Sequence, residues 1–320
     1  MSIYSITSDS EISSGLTNCL KNRSLEQKFL YHWKWADLYY EYKENSDALM
    51  KESNNIKDIS LFDFWVKNCF VKNNKVVLIS LWCGNSGVEK DIYSRLSKDY
   101  IIDHIWVDLS REMLLLAKEN LKDVDIKKDF VCADFSSLEF KSEISTLAWN
   151  NREQKRVFSF FSNTFWNINH TNIIDTLYDI LDKWDQIWLD VRLRKSNTVK
   201  DDMSIFNLVD IKDNNSVLSD FLSNAFVKSN IPKENWVISK IMKKEEWLNS
   251  LKVEFYFNFE KKTQINMKWQ ITFLPWESIK CLQIYYYDAE KLINFFEEHN
   301  FKFIDKEIKW MRWQFLFEKE

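Results

Sequence analysis

Residues that could bind a nucleotide-type ligand stand at the ends of successive apolar segments. Gly84, Asp108, Asp134, Asn163 and Asp190 each fall at or near such an end. Carboxylates accept strong hydrogen bonds from ligand hydroxyls, and glycine lets the backbone turn sharply and approach a ligand closely. In open α/β sheets, ligands bind outside the carboxyl ends of the strands. The pattern therefore predicts one ligand site where these ends meet.

The predicted fold is organised around the segment 75–108, which contains the first two of these residues. An apolar run at 76–81 fits a parallel strand buried on both faces, and the turn WCGNSG follows it at 82–87. A helix and a second apolar strand then lead to Asp108, roughly 20 residues further on, where such folds commonly hold ribose hydroxyls. Because the chain has only 3 glycines, Gly84 and Gly87 indicate a local requirement of the backbone.

Strands and helices continue to alternate after Asp108. Three more buried strands are predicted over 130–133, 157–161 and 187–191. Helices are predicted over 111–121, 173–181 and 288–300. A final strand near 313–317 is expected to be antiparallel, at or near the sheet edge. The alternation predicts an α/β protein with a Rossmann-like, doubly wound, mostly parallel sheet.

The remaining segments have weaker patterns. Residues 1–24 are expected to form a polar lead-in, and helices are expected over 25–50 and 59–71. The region 194–250 is polar with a helical tendency. Two alternating runs, 253–259 and 265–271, are separated by 260–264 and predict an antiparallel hairpin.

Composition excludes several classes of function. Lys and Arg total 44 against 48 Asp and Glu, and the net charge of -4 gives no electrostatic case for binding nucleic acid. The 5 cysteines are scattered and the 4 histidines lack ligand spacing, so we expect neither a disulfide framework nor a metal site. The sequence shows no signal peptide and no apolar stretch long enough to span a membrane. These features predict a cytoplasmic protein.

Taken in order, the motifs resemble those of a class I S-adenosylmethionine-dependent methyltransferase, and more closely those of the histidine-specific methyltransferase family of ergothioneine biosynthesis. The strand–turn–strand unit and the later Ala133-Asp134-Phe135 are the basis of the first resemblance. Local matches along most of the chain are the basis of the second: Gly15-Leu16-Thr17, Leu30-Tyr31 through Leu38, Cys83-Gly84-Asn85-Ser86 with Lys90, Val107-Asp108-Leu109-Ser110, Ser162-Asn163-Thr164-Phe165-Trp166-Asn167, and Leu189-Asp190-Val191 through Lys195.

The resemblance implies S-adenosylmethionine as the cofactor and a role for each matching residue. Asp108 would hold the ribose hydroxyls, Asp134 would accept from the adenine amine, and Gly84 would lie under the methionine moiety. The other implied cofactor-binding residues are Asn85, Ser86, Lys90 and Phe135, the last beside the adenine ring. The implied catalytic residues are Tyr31, for orientation, and Asn167. The implied substrate-binding residues are Tyr31, Asn163, Thr164, Asn167, Trp276, Glu277 and Ser278.

The resemblance also implies a discontinuous second domain of α+β type. The cofactor domain would comprise 66–195 plus 280–320, and the substrate-recognition domain 1–65 plus 196–279. The implied activity is N-methylation of an amino acid or a related small amine. The expected partner is that small molecule, with no nucleic acid and no membrane.

Two departures from the family pattern leave alternatives open. Trp82 stands where the family has glycine, so a second hypothesis is a catalytically inactive relative that acts as a binding or scaffolding subunit. Trp276 stands where the family has an acid that contacts imidazole, so histidine is not assured as the substrate. A dinucleotide oxidoreductase is disfavoured, because the turn lacks the first glycine of GxGxxG.

Overall fold

The structure is a computed structural model, and it describes most of the chain. The described residues are 3–31, 64, 75–94, 101–135, 137–148, 154–161, 165, 170–194, 198–208, 217–223, 226, 231–246, 248–266, 269–309 and 312–320.

Strands and helices are numbered here in chain order. The strands are β1 (Ile3–Ser5), β2 (Lys75–Leu81), β3 (Ile101–Asp108), β4 (Lys127–Cys132), β5 (Lys155–Phe160), β6 (Gln186–Arg192), β7 (Trp236–Glu245), β8 (Ser250–Phe259), β9 (Thr263–Asn266), β10 (Gln270–Phe273), β11 (Ser278–Tyr286), β12 (Phe301–Lys309) and β13 (Arg312–Lys319). The α-helices are α1 (Asp9–Lys21), α2 (Gly87–Tyr93), α3 (Arg111–Asn120), α4 (Leu138–Ala148), α5 (His170–Ile180), α6 (Val199–Leu208), α7 (Val217–Leu222) and α8 (Ala289–Glu298). Short 3-10 turns cover Gln27–Tyr31 and Lys233–Asn235.

Within the described ranges, the central sheet has eight strands in the order β1-β4-β3-β2-β5-β6-β13-β12. Strands β1 to β6 are parallel to one another, and β13 is antiparallel to both β6 and β12. The prediction of a Rossmann-like, doubly wound, mostly parallel sheet is confirmed. The predicted antiparallel final strand is also confirmed, and it lies one position inside the edge strand β12.

Helices cover both faces of this sheet, because its central strands are apolar on both sides. All of β6 is buried, as is β2 after its first residue. On one face Val77 and Ile79 of β2 share a core with α4, α5 and α8. On the other face Val76 and Leu78 share a core with α2 and α3. This two-sided burial is what a continuous apolar run predicts for a central parallel strand.

The two alternating runs form strands, but they do not pair with each other. Strand β8 pairs with β7 and β11 in a three-stranded antiparallel sheet. Strand β9 instead pairs with β10, four residues beyond it. The hairpin predicted between 253–259 and 265–271 is therefore wrong, since the period of two identifies strands without identifying their partners.

The N-terminal segment is not the polar lead-in that we predicted. Residues Ile3–Ser5 add β1 to the central sheet beside β4, and α1 follows with a capping box between Ser8 and Glu11. Gly15 lies on this helix, where an added Cβ would meet the ring of Phe29 at 2.9 Å. This close approach packs α1 against the 3-10 turn.

Other segments differ from the sequence expectations or lie outside the described part. Strand β7 forms in the region predicted to be polar and helical, and β12 was not predicted. Most of 25–50 and 59–71 lies outside the described residues. The predicted domain boundaries stay a prediction, although β1 belongs to the central sheet and β11 begins at Ser278. No helix of the described chain is long and apolar enough to cross a membrane.

Candidate functional site

The turn after β2 holds alternate residues in the left-handed region of backbone space. Trp82, Gly84 and Ser86 have φ angles of 52°, 56° and 56°. Residues other than glycine are strained in this conformation, because their Cβ crowds the backbone. Gly84 meets the requirement predicted for the turn, and its missing Cβ would lie 3.3 Å from Met113 Cε. Gly87, in contrast, begins α2 without a positive φ, and the neighbouring Ser86 adopts the left-handed conformation instead.

Asp108 joins this turn to the end of β3. Its Oδ2 accepts from the Gly84 amide at 2.9 Å, and its Oδ1 accepts from the Ser110 amide at 2.8 Å. The side chain is buried, and burial raises the pKa of Asp108 to about 6 although the surrounding backbone amides oppose the rise. The predicted proximity of Gly84 and Asp108 is thus present, with the carboxylate bound directly to the turn.

Asp134 lies after β4 and is bound to the N-terminal segment. Its Oδ2 forms an ion pair with Lys28 Nζ at 2.8 Å, and its backbone amide donates to Thr7 Oγ1 at 3.0 Å. Lys28 and Asp134 are 106 residues apart, so no local pattern could have paired them. Thr7 and Lys28, which precede the predicted cofactor domain in the sequence, therefore form part of this edge of the site.

The other residues implied to bind the cofactor, apart from Phe135, lie in the turn or on α2 and differ in burial. Asn85 Oδ1 accepts from the Gly87 amide at 3.3 Å, and its carbonyl accepts from Asn120 Nδ2 at 2.9 Å. Ser86 is buried at the start of α2, whereas Lys90 is exposed on that helix. Asn120, at the end of α3, stabilises the turn and was not identified from the sequence.

The aromatic residues near the turn pack on one another. The indole of Trp82 meets the ring of Phe135 edge-on, with centroids 5.1 Å apart and planes at 69°. Phe135 is only 2% exposed, and its ring centroid also lies 5.9 Å from that of Phe160. Trp82 itself is half-buried. Phe135, which we expected beside an adenine ring, thus contacts the indole of Trp82.

Most of the implied substrate residues lie outside the described part of the chain. These are Asn163, Thr164 and Asn167, together with the side chain of Tyr31, whose backbone ends the first 3-10 turn. Phe165, in the same segment, is buried, and its carbonyl accepts from the Tyr287 hydroxyl at 3.3 Å. Tyr287 also contacts His170, at the start of α5.

Trp276, Glu277 and Ser278 lie on a separate turn that leads into β11. Trp276 is 80% exposed with a φ of 71°. Glu277 forms an ion pair with Arg23 at 2.9 Å, and Ser278 Oγ donates to Asn258 Oδ1 at 2.7 Å. The ion pair with Arg23 joins this turn to the residues that follow α1.

A buried polar cluster underlies the turn on the α2 face of the sheet. Ser80 Oγ forms hydrogen bonds at 2.9 Å with both His104 Nε2 and Ser159 Oγ. The other ring nitrogen of His104 is hydrogen-bonded to the Tyr93 hydroxyl. Burial lowers the pKa of His104 well below its usual range, so the imidazole is neutral. The sequence did not reveal this cluster, because each member looks like an isolated polar residue.

Glu89 completes the cluster from α2. Its side chain is 1% exposed, and burial raises its pKa to about 7 against the opposing effect of a hydrogen bond to Ser80. Ser80 occupies the position at which the resembled family has an acid. A carboxyl group is therefore present beneath the turn, but it comes from the following helix.

We expect the Glu89→Gln variant to be more stable than the wild type above about pH 7. The unfolded chain loses the Glu89 proton near pH 4.5, whereas the folded chain retains it to about pH 7, so wild-type stability falls between these values. Glutamine mimics the neutral acid and removes this fall. Urea denaturation at about pH 5 and about pH 8 measures the difference. Glu139→Gln, at an exposed position on α4, is the control, and an unchanged pH profile in Glu89→Gln would contradict the assignment.

The strand order defines the class of fold. An antiparallel β13 lies between β6 and the edge strand β12, on a sheet whose other half runs β4-β3-β2-β5-β6. This is the Rossmann-like fold of class I methyltransferases. The dinucleotide-binding order 3-2-1-4-5-6 has no such reversed strand.

Known proteins were compared with the chain by sequence and by structure. No protein-family model and no curated protein matches the sequence. An S-adenosylmethionine-dependent methyltransferase from Clostridium acetobutylicum ATCC 824 is 14% identical over 88% of this chain and 98% of its own, with a TM-score of 0.48. A second from Anabaena variabilis ATCC 29413 is 10% identical over 89% and 93%, with a TM-score of 0.48.

The PH0226 protein from Pyrococcus horikoshii OT3 is 13% identical over 90% of this chain and 99% of its own, with a TM-score of 0.45. At these identities and scores the similarities carry no argument about activity. The class of fold rests on the strand order, and the histidine-specific family is not shown by any of these comparisons.

Proposed function

We propose that the chain is an S-adenosylmethionine-dependent N-methyltransferase acting on an amino acid or a related small amine. The observation that supports this best is the position of the Asp108 carboxylate. It is buried at the carboxyl end of β3 and is bound to the turn after β2 through Gly84. A carboxylate has about four acceptor sites, so one that receives a few backbone amides retains capacity for ribose hydroxyls.

The other edge of the proposed site is consistent with an adenosine group. Asp134 follows β4, the next strand after β3 in the sheet, and its carboxylate is held in place by Lys28. A carboxylate oxygen can accept from an ammonium and from an adenine amine together, because it has two lone pairs. The two acids thus stand at adjacent strand ends, as the ribose and the base of one nucleoside require.

The reaction requires positioning more than a strong nucleophile. When bound, S-adenosylmethionine would supply the methyl group: a carbon–nitrogen bond would form as the carbon–sulfur bond breaks, and the electron pair of the broken bond would stay on sulfur. The methylated ammonium would lose its proton to water after release. The protein would orient the two reactants and exclude water. Tyr31 and Asn167 remain our candidates for holding the substrate, with Asn163 and Thr164 beside them.

The proposed substrate is an amino acid or a related small amine, and histidine is not assured. Trp276 replaces the acid that the resembled family uses, and the neighbouring Glu277 is already paired with Arg23. The charge of Arg23 repels a second cation at Glu277, and the other carboxylate oxygen of Glu277 already accepts from the Leu274 amide. Free histidine therefore has no evident carboxylate partner on this turn.

A methyl-transfer assay with a panel of amino acids and small amines tests the proposal. We expect S-adenosylhomocysteine to form with at least one amine, and the product to carry the new methyl group on nitrogen. The Asp108→Asn variant should be inactive with the same acceptor. Methylation of carbon or oxygen alone would contradict the N-methyltransferase assignment, and efficient turnover of free histidine would contradict the substrate argument.

A further inference from the structure

One face of the three-stranded sheet packs into a core with α1, and the opposite face carries a buried acid that three lysines share. The side chain of Glu254, on β8, is only 3% exposed. Its Oε2 accepts from Lys243 Nζ at 2.6 Å and from the Tyr256 hydroxyl at 2.8 Å. Its Oε1 lies 3.4 Å from Lys252 Nζ and 3.5 Å from Lys280 Nζ. All three strands of this sheet therefore direct an ammonium group to one carboxylate.

The lysines outnumber the acids that they neutralise. A buried carboxylate is compensated by one cation, and Glu254 has three. Lys243 and Lys252 stand directly opposite each other on β7 and β8, and like charges in such a cross-strand pair destabilise a sheet. Lys252 also pairs with Glu245, the second acid of the cluster. Three lysines against two glutamates leave an excess of one positive charge on this face.

The excess positive charge faces solvent. The side chains of Lys243 and Lys280 are 49% and 42% exposed, whereas the carboxylate beneath them is almost fully covered. An ammonium group has three donors, and Lys280 directs one to Glu254 and another to Gln283, at 3.1 Å. Both ammonium groups lie against oxygens of the same carboxylate, so one small ligand can contact both of them.

Glu254 acts as the anchor of the two exposed lysines. Burial alone would raise its pKa, but hydrogen bonds from Lys243 and Tyr256 lower the pKa to about 2. The carboxylate is therefore ionised at neutral pH and holds the ammonium groups in place. Its own charge repels an approaching anion, but the three ammonium groups around it outweigh that single charge.

We propose that Lys243 and Lys280, held by Glu254, form a binding site for a doubly charged oxyanion of the phosphate type. Such a dianion can pair with both exposed ammonium groups at once, whereas a carboxylate monoanion matches the charge of only one. The site shares no residue with the turn that binds Asp108. It therefore stands independently of the proposed function.

Calorimetric titration with inorganic phosphate, at an ionic strength held constant with sodium chloride, tests the site. We expect saturable binding of one phosphate per chain, with a Kd on the order of 1 mM. Lys243→Met and Lys280→Met should each weaken it roughly 10-fold or more, because each removes one charge-assisted contact and keeps the apolar stem. Lys244→Met is the matched control, since Lys244 follows Lys243 on β7 but pairs with Asp202 at 3.0 Å. This control should leave phosphate affinity unchanged.

The possible outcomes decide the proposal. The absence of saturable phosphate binding by the wild type would overturn it, as would an equal loss in the control and in both test variants. Acetate binding as tightly as phosphate would overturn the assignment to a dianion. Circular dichroism shows that each variant is folded, and the two test variants check each other. A wild type that binds phosphate but not S-adenosylhomocysteine would support this site while the proposed function fails.

Discussion

Asp108→Asn is expected to lose S-adenosylhomocysteine affinity by roughly 100-fold or more, since hydrogen bonds to a charged group contribute about 1.5–3 kcal/mol each and two ribose hydroxyls are involved. Asparagine retains the shape of the side chain but replaces one acceptor oxygen with a donor. It therefore also leaves the amide of Gly84 or Ser110 facing another donor. Because both effects are confined to this turn, we expect the variant to remain folded while its ligand binding is weakened.

Calorimetry with Asp103→Asn as the control measures this effect. Asp103 lies on the same strand, β3, where it pairs with Lys75 at 2.6 Å, away from the turn. This control should bind within about twofold of the wild type. Equal affinities of wild type and Asp108→Asn would show that the carboxylate does not bind the ligand.

The same carboxylate predicts a pH dependence of binding. Ribose hydroxyls donate to the ionised form of Asp108, and burial raises its pKa to about 6. Wild-type affinity should therefore fall as the pH drops below about 6. Asp108→Asn cannot lose an acceptor in this way, so its residual affinity should not show this fall.

The second large effect is expected for the buried ion pair between Arg194 and Asp202. The guanidinium binds both carboxylate oxygens, at 2.9 and 3.1 Å, and the two side chains are 2% and 1% exposed. Arg194 also donates to the carbonyl of Asn249 at 2.8 Å, and Asn249 in turn donates to Asp288 ahead of α8. The pair therefore connects the end of β6 to α6 and to the second sheet.

Asp202→Ala should lower the free energy of unfolding by about 3–5 kcal/mol, because it leaves Arg194 buried without its anion. Urea denaturation monitored by circular dichroism measures the change. Asp179→Ala is the control: its carboxylate pairs with Lys141 but is 57% exposed, and the expected loss is about 1 kcal/mol or less. A loss of similar size in both variants would contradict the role given to the buried pair.

Much of the central sheet could be predicted from the sequence, because the alternation of its strands and helices along the chain follows local patterns. The apolar runs that became β2, β5 and β6 are buried on both faces, and each is followed by a helix. The cap of α3 was equally local, since Ser110 Oγ accepts from the Met113 amide. Here propensity, burial and capping agree with the fold.

The pairing of the remaining strands depends on contacts between distant residues. The alternation in β8 and β9 predicts strands, but β8 packs between β7 and β11 through cross-strand contacts such as Phe257 with Ile279. Strand β1 has three residues and joins β4 more than a hundred positions later. No short window of sequence contains such information.

Only part of the site could be predicted, because the rest of it also depends on contacts between distant residues. Gly84 and Asp108 were expected together, and their hydrogen bond joins two strand ends that the parallel order makes neighbours. The ion pair of Lys28 with Asp134 and the position of Glu89 beneath the turn require the folded chain. The left-handed conformations of Trp82 and Ser86 were missed because neither residue is glycine.

The most direct test of the central claim is calorimetric titration of the wild-type protein with S-adenosylhomocysteine. The account predicts saturable binding of one molecule per chain in the micromolar range, made weaker by the Asp108→Asn substitution. No detectable binding at millimolar ligand, by a protein shown to be folded, would contradict the claim. That result would instead favour a methyltransferase-like fold retained as a non-catalytic binding or scaffolding subunit.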